Sequence, residues 1–152
     1  WDEGEPKKAF EKAIQNSNKV AMSLSDLFCV ERHKPHFLDL VKNKLDITFS
    51  NEQEIMSLIN VKNINDVIDF VKKTKKLIVI TRGEKGALAI NGQEVTECVA
   101  KKNLKIKDLT GAGDLFAGGF LHGYVNGKSL KESLETGTEM SSKIIQTIGA
   151  RL

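Results

Sequence analysis

The sequence predicts an α/β fold, a three-layer α/β/α sandwich around a mainly parallel sheet. Three observations carry this. Helical and strand periodicities alternate along the chain. Residues 76–81 (KLIVIT), with four consecutive apolar residues, form the most apolar strand, the kind covered on both faces. A glycine turn at 111–113 feeds directly into a helix, a junction suited to a ligand site.

The elements follow in order. Residues 6–18 read as a helix, with Pro6 in its first turn and Ala9, Phe10, Ala13 and Ile14 on one face. Val20, Met22 and Leu24 alternate as a short strand, and Ser25 or Asp26 suits the cap of a helical turn after it. Pro35 breaks that turn and restarts a helix through Phe37, Leu38 and Val41. Leu45, Ile47 and Phe49 form the next strand, and Asn51 opens a helix carrying Ile55, Leu58 and Ile59. A helix over 64–74 turns Ile64, Val67, Ile68 and Val71 inward. The 76–81 strand leads into a turn punctuated by Gly83 and Gly86, then a strand over 87–90. Asn91-Gly92 predicts a type I′ hairpin, with a return strand over 93–100. The helix from the 111–113 turn runs to about 125. Asn126-Gly127 stops it, and Ser129 caps a final helix over 130–147.

With 152 residues, 40% hydrophobic and 28% charged, the chain can bury a core as one domain and is not a disordered tail. No apolar run approaches the ~18 residues of a membrane span. The start, Trp1-Asp2-Glu3-Gly4, does not read as a signal peptide and has no initiator Met, and the chain ends abruptly at Leu152. The expectation is a piece of a longer protein. Net charge is +3, and the lysine pairs are interleaved with acids. That describes a solvated surface, not the aromatic-studded basic stripe of a nucleic-acid binder. Cys29 and Cys98 lie far apart outside any motif, so reduced thiols in a cytoplasmic protein are expected.

The chemistry concentrates in Lys107-Asp108-Leu109-Thr110-Gly111-Ala112-Gly113-Asp114. Glycines bring backbone N–H groups close to a ligand, and the first turn of a helix adds free donors and a positive dipole end. Together they suit a phosphoryl group. Asp114, in the same turn, is a poor phosphate ligand but a good acceptor for the proton of an attacking hydroxyl. The same residues also fit a capping Asp with glycines for close helix packing, and the pattern alone does not choose. Two familiar motifs are excluded. Phe116 stands where a dinucleotide fingerprint needs a third Gly, and Gly83-Glu84-Lys85-Gly86 lacks the Lys-Ser/Thr ending of a P-loop.

The stretch Asp108-Leu109-Thr110-Gly111-Ala112-Gly113-Asp114 resembles the D-T-x-G-A-G-D signature of the ribokinase (PfkB) family of carbohydrate kinases, with Leu109 departing at the second position. Asn51-Glu52-Gln53-Glu54 is similar to the family's N-x-x-E element, and also reads as a plain helix cap. Thr81-Arg82-Gly83-Glu84-Lys85-Gly86 is similar to its T-x-G-x-x-G phosphate turn, and also reads as an ordinary strand-to-turn connection. All three stand in family order. The segments Ser23–His36, Phe49–Glu52 and Ile148–Arg151 look most like the bacterial adenosine-kinase-like branch.

The resemblance implies a ribokinase-like fold, with residues 1–152 as the carboxyl-terminal ATP-binding and catalytic part of a single domain. The amino-terminal half and its β lid are then absent, and the piece alone is expected to be inactive. It implies an ATP- and Mg²⁺-dependent transfer of the γ-phosphate to a hydroxymethyl group of a sugar or nucleoside. Asp114 would be the base, with the amides of Gly111, Ala112 and Gly113 as anion hole. Asn51, Glu54, Thr81, Gly83, Gly86, Asp108 and Thr110 would serve the nucleotide, and Glu54 the metal. Family members often pair through the lid, so a homodimer is the implied assembly; neither nucleic acid nor membrane is an expected partner. The rival reading is a non-catalytic nucleotide-binding relative, toward which Leu109 leans. Cys29, His33 and His36 at i, i+4 and i+7 have zinc-compatible spacing, but Pro35 interrupts the helix they would need, so no zinc is expected. Arg82 fits either a phosphate contact or solvent, and Phe10, Phe49, Phe70 and Phe120 read as core. Gly137, Thr138 and Ser141 fall where the family packs small residues beside the adenine, and equally suit a helix–sheet contact.

Overall fold

The computed structural model describes residues 5–151. Trp1–Gly4 and Leu152, read above as a start and an abrupt end, lie outside the described residues. The chain forms two compact units. One runs to Val79 and takes in Ile90–Gln93; the other comprises Ile80–Ala89 and the chain from Glu94 onward.

The first unit begins with α1 (Pro6–Gln15), three residues shorter than predicted, with no fully buried residue. Its expected inward face is incomplete: Phe10 and Ile14 are half-buried, and Ala9 and Ala13 are exposed. Strand β1 (Ala21–Ser23) pairs in parallel with β2 (Ile47–Asn51), matching Ser23 to Phe49. Val20 lies outside β1 and bonds to Asp46, whose Oδ2 accepts its N–H at 2.8 Å. After β1, Ser25 takes φ 69° while the Asp26 N–H donates to the Leu24 carbonyl at 3.0 Å. This tight turn is a sparsely populated conformation for a residue with a Cβ.

Asp26 caps α2 (Leu27–Arg32) by accepting the Cys29 N–H at 2.8 Å. Pro35 sits in the first turn of α3 (Lys34–Asp39), so the helix breaks at His33 as the proline predicts. A π-helical turn over Leu40–Lys44 then holds Val41, expected in the α-helix. Asn63 caps α5 (Ile64–Thr74), which follows α4 (Glu52–Ile59). Leu24, Val30, Phe37, Leu45, Ile55, Leu58, Val67 and Val71 are buried together in this unit's core. Burying each such side chain is worth about 1.5–3 kcal/mol.

Strand β3 (Leu77–Thr81) is buried at Leu77, Ile78, Val79 and Ile80 in succession, as its composition predicts. Strands β4 (Ala87–Asn91) and β5 (Glu94–Cys98) complete a five-stranded sheet in sequence order. The links on either side of β4 are too short for parallel crossovers, so β4 runs against its neighbours. The hairpin lies one residue later than predicted. Gly92 and Gln93 are its central pair, and only Gly92 has positive φ, which excludes type I′.

In the second unit, α6 (Ala112–Val125) and α7 (Leu130–Ile144) pack through small residues. Phe116, Gly119, Phe120 and Gly123 form the buried stripe of α6. A Cβ at Gly119 would lie 2.9 Å from the Thr136 carbonyl oxygen, and one at Gly137 would lie 2.7 Å from that of Phe116. Gly137 is therefore buried against α6, and Thr138 is buried with its hydroxyl 3.6 Å from the Cys98 sulfur at the end of β5. Ser129 and Glu132 form a capping box at the start of α7, which ends three residues earlier than predicted. Among the described residues, no helix is long and apolar enough to cross a membrane.

Candidate active site

The head of α6 is built by a turn. Gly111 is its N-cap residue, with φ 77°, and supplies no side-chain cap. The Ala112 N–H donates to the Leu109 carbonyl at 3.1 Å, and the Leu115 N–H to that of Gly111 at 2.9 Å. Ala112 is thus removed from the expected anion hole, because its amide is consumed in closing the turn. The N–H groups of Gly111, Gly113 and Asp114 have no protein acceptor among the described residues. They remain as donors at the positive end of a 14-residue helix.

Asp114 is exposed at the third helical position, and its carboxylate makes no hydrogen bond or ion pair among the described residues. It does not cap the helix. An uncommitted carboxylate beside three open amides can take a proton from a hydroxyl approaching a bound anion.

Asp108 and Thr110 are engaged locally. One Asp108 oxygen accepts the Thr110 N–H at 2.9 Å and its hydroxyl at 2.7 Å. The other accepts the Gly149 N–H at 2.9 Å. These bonds, led by the Thr110 amide, hold the Asp108 carboxyl below the usual carboxylate range. The Lys107 and Asp108 N–H groups both donate to the Ile145 carbonyl. A Cβ on Gly111 would come within 3.0 Å of the Ala150 Cβ. The segment after α7 therefore braces the turn. Nothing local in the sequence marks this, since Gly149 lies 41 residues from Asp108.

Thr81 ends β3 half-buried, and Gly83 and Gly86 shape the turn that follows. Gly86 has φ 92°, and a Cβ there would fall 2.0 Å from the Cys98 carbonyl oxygen. Its lack of a side chain is a steric requirement of the backbone. The Arg82 N–H closes the turn on the Gly86 carbonyl at 2.8 Å.

In the first unit, Asn51 and Glu54 form a full capping box. The Glu54 N–H donates to Asn51 Oδ1 at 2.8 Å, and Glu54 Oε2 accepts the Asn51 N–H at 2.9 Å. Asn51 Nδ2 donates to Glu54 Oε1 at 2.6 Å. Glu54 is 5% exposed. Burial pushes its carboxyl up, the Asn51 amide offsets this in part, and the charge of Asp26 raises it further. Asp26 is the neighbour that sequence reading missed here; its cap position was legible, its electrostatic reach to Glu54 was not. Among the described residues, no group of three His, Cys, Asp or Glu side chains is placed to hold a metal ion. Cys29, His33 and His36 are divided by the break at His33.

A family model, "pfkB family carbohydrate kinase", matches residues 6–152. A cytidine kinase from Thermococcus kodakarensis is 35% identical over 111 residues, covering 72% of this chain and 40% of that protein. The crystal structure of an adenosine kinase from Sinorhizobium meliloti superposes with TM-score 0.95 at 34% identity, over 100% of this chain and 48% of that one. A probable sugar kinase from Rhizobium etli gives TM-score 0.94 at 36% identity, over 99% of this chain and 47% of that one. The chain thus spans about half the length of the relatives it matches. These structures share its α/β sandwich fold, and the likeness to the adenosine kinase agrees with the branch its motifs indicate. Since the family match starts at the first residue of α1 and runs past the end of α7, no element falls outside it, and this chain is a member of the pfkB family of carbohydrate kinases.

Proposed function

We propose that the chain is the nucleotide-binding and catalytic portion of an ATP-dependent kinase whose acceptor is the hydroxymethyl group of a sugar or nucleoside. One observation carries the reading: an exposed, uncommitted Asp114 carboxylate in the same helical turn as the open amides of Gly111, Gly113 and Asp114. The names of the relatives, cytidine kinase, adenosine kinase and a probable sugar kinase among them, support a nucleoside or a sugar as the acceptor.

The acceptor oxygen attacks the γ-phosphorus in line. Its bond to phosphorus forms as the bond to the β–γ bridging oxygen breaks. The hydroxyl proton passes to Asp114, and the open amides hold the charge on the transferring group. Positioning and electrostatics do most of the work. Both Glu54 oxygens already accept bonds from Asn51, so a hard cation here would be held through water and substrate phosphates, not by an all-protein cage. Mg²⁺ at Glu54 would supply charge neutralisation on those phosphates. Thr81, Gly83 and Gly86 would line the nucleotide with backbone.

The test is ADP production by the intact protein with adenosine, cytidine, ribose and fructose as acceptors. Acceptor-dependent ADP release, lost in Asp114→Asn with ATP binding retained, is the expected result. Binding of ATP with no turnover on any acceptor favours a non-catalytic relative.

A further inference from the structure

Gly118 stands apart from the other glycines of α6. Gly119 and Gly123 face α7, where added methyl groups would come within 2.9–3.3 Å of Thr136, Gly137 and Ser133, closer than ordinary van der Waals contact. Gly118 is exposed, lies mid-helix, has ordinary negative φ, and a Cβ there would meet nothing within 4 Å. No turn, close approach or strained backbone among the described residues requires glycine there. Glycine at such a position is a poor helix former compared with alanine.

The geometry of the helix gives the position a meaning. Residues i and i+4 lie on one face, so Gly118 sits one turn above Asp114. Helical side chains tilt toward the amino terminus and cover the turn that precedes them. A side chain at 118 would therefore overhang the turn that carries the Asp114 carboxylate. We propose that Gly118 is a specificity-determining position, whose missing side chain keeps open the approach of the acceptor hydroxymethyl group to Asp114. This rests on the reading of Asp114 as the base.

The experiment compares Gly118→Ala and Gly118→Leu with the intact parent protein, using adenosine and ribose as acceptors and a non-hydrolysable ATP analogue as binding probe. Alanine is expected to raise the melting temperature by about 2–4 °C, because it fits open space and favours helix. Leucine is expected to lower kcat/KM by about 100-fold through displacement of the acceptor, with analogue affinity unchanged. Alanine should fall between, with the larger loss on the bulkier acceptor. A destabilised alanine variant would show that Gly118 packs against another part of the protein, and would overturn the inference. Full turnover in the leucine variant, with Asp114→Asn inactive, would overturn it while leaving the base in place. Turnover retained by Asp114→Asn would remove the base reading and this inference together.

Discussion

Asp108 and Gly149, 41 residues apart, are joined by a 2.9 Å hydrogen bond from the Gly149 N–H to Asp108 Oδ2. With the two Thr110 bonds to Oδ1, it fastens the approach to the Gly111 turn onto the segment after α7. Both carboxylate oxygens are used, so the brace depends on the ionised form.

Asp108→Ala should lower the melting temperature and speed amide exchange at Thr110 and Gly149, while Asp108→Asn keeps part of the brace. The folded carboxyl lies below its ordinary 3.8, so this stabilisation is present above that pH and is lost as pH falls through the folded value. Hydrogen exchange across pH 5 to 2 checks it; equal protection in parent and alanine variant would refute the brace.

Asp114→Asn in the intact protein should cut phosphoryl transfer by about 10²–10⁴-fold, with ATP affinity nearly unchanged. Single-turnover kinetics beside a nucleotide-binding titration separate the two. Loss of both together would mean that the residue shapes the pocket and does not accept the proton.

Glu54→Gln tests a buried carboxyl. Its folded value is raised above 4.5, so its contribution to stability is full below pH 4.5 and falls as pH rises through the folded value. The glutamine variant should gain relative to parent as pH is raised from 4.5 toward 7, measured by thermal melts. If the residue also serves Mg²⁺, the Mg²⁺ concentration for half-maximal rate should rise about 10-fold or more. A variant with unchanged Mg²⁺ dependence would leave Glu54 as a helix cap alone.

Gly86→Ala should destabilise the fold by about 3 kcal/mol, because the new methyl would collide with the Cys98 carbonyl and the backbone has positive φ. Denaturant unfolding measures this. A neutral result would mean that the turn and β5 can separate at little cost.

Local chemistry was legible in the sequence wherever one segment decides its own shape. The Asn51–Glu54 box, the cap at Asp26, the break at Pro35 and the helix after Gly111 all lie where their residue types place them. The hairpin shifted by one residue because pairing in the sheet, not the Asn-Gly preference, set its register. The loss of Ala112 as a donor was hidden because it depends on a carbonyl three residues back adopting a turn. The Asp108–Gly149 bond and the contact between Gly86 and Cys98 bring distant segments together, which no local pattern encodes.

The close seat of Gly137 on the Phe116 carbonyl couples two positions that share no chemistry. Phe116 follows Asp114 by two residues, so a methyl added on α7 would lever the first turn of α6 outward from its flank. Enlarging Gly137 is thus a way to shift the Asp114 turn from behind, through the helix that backs it.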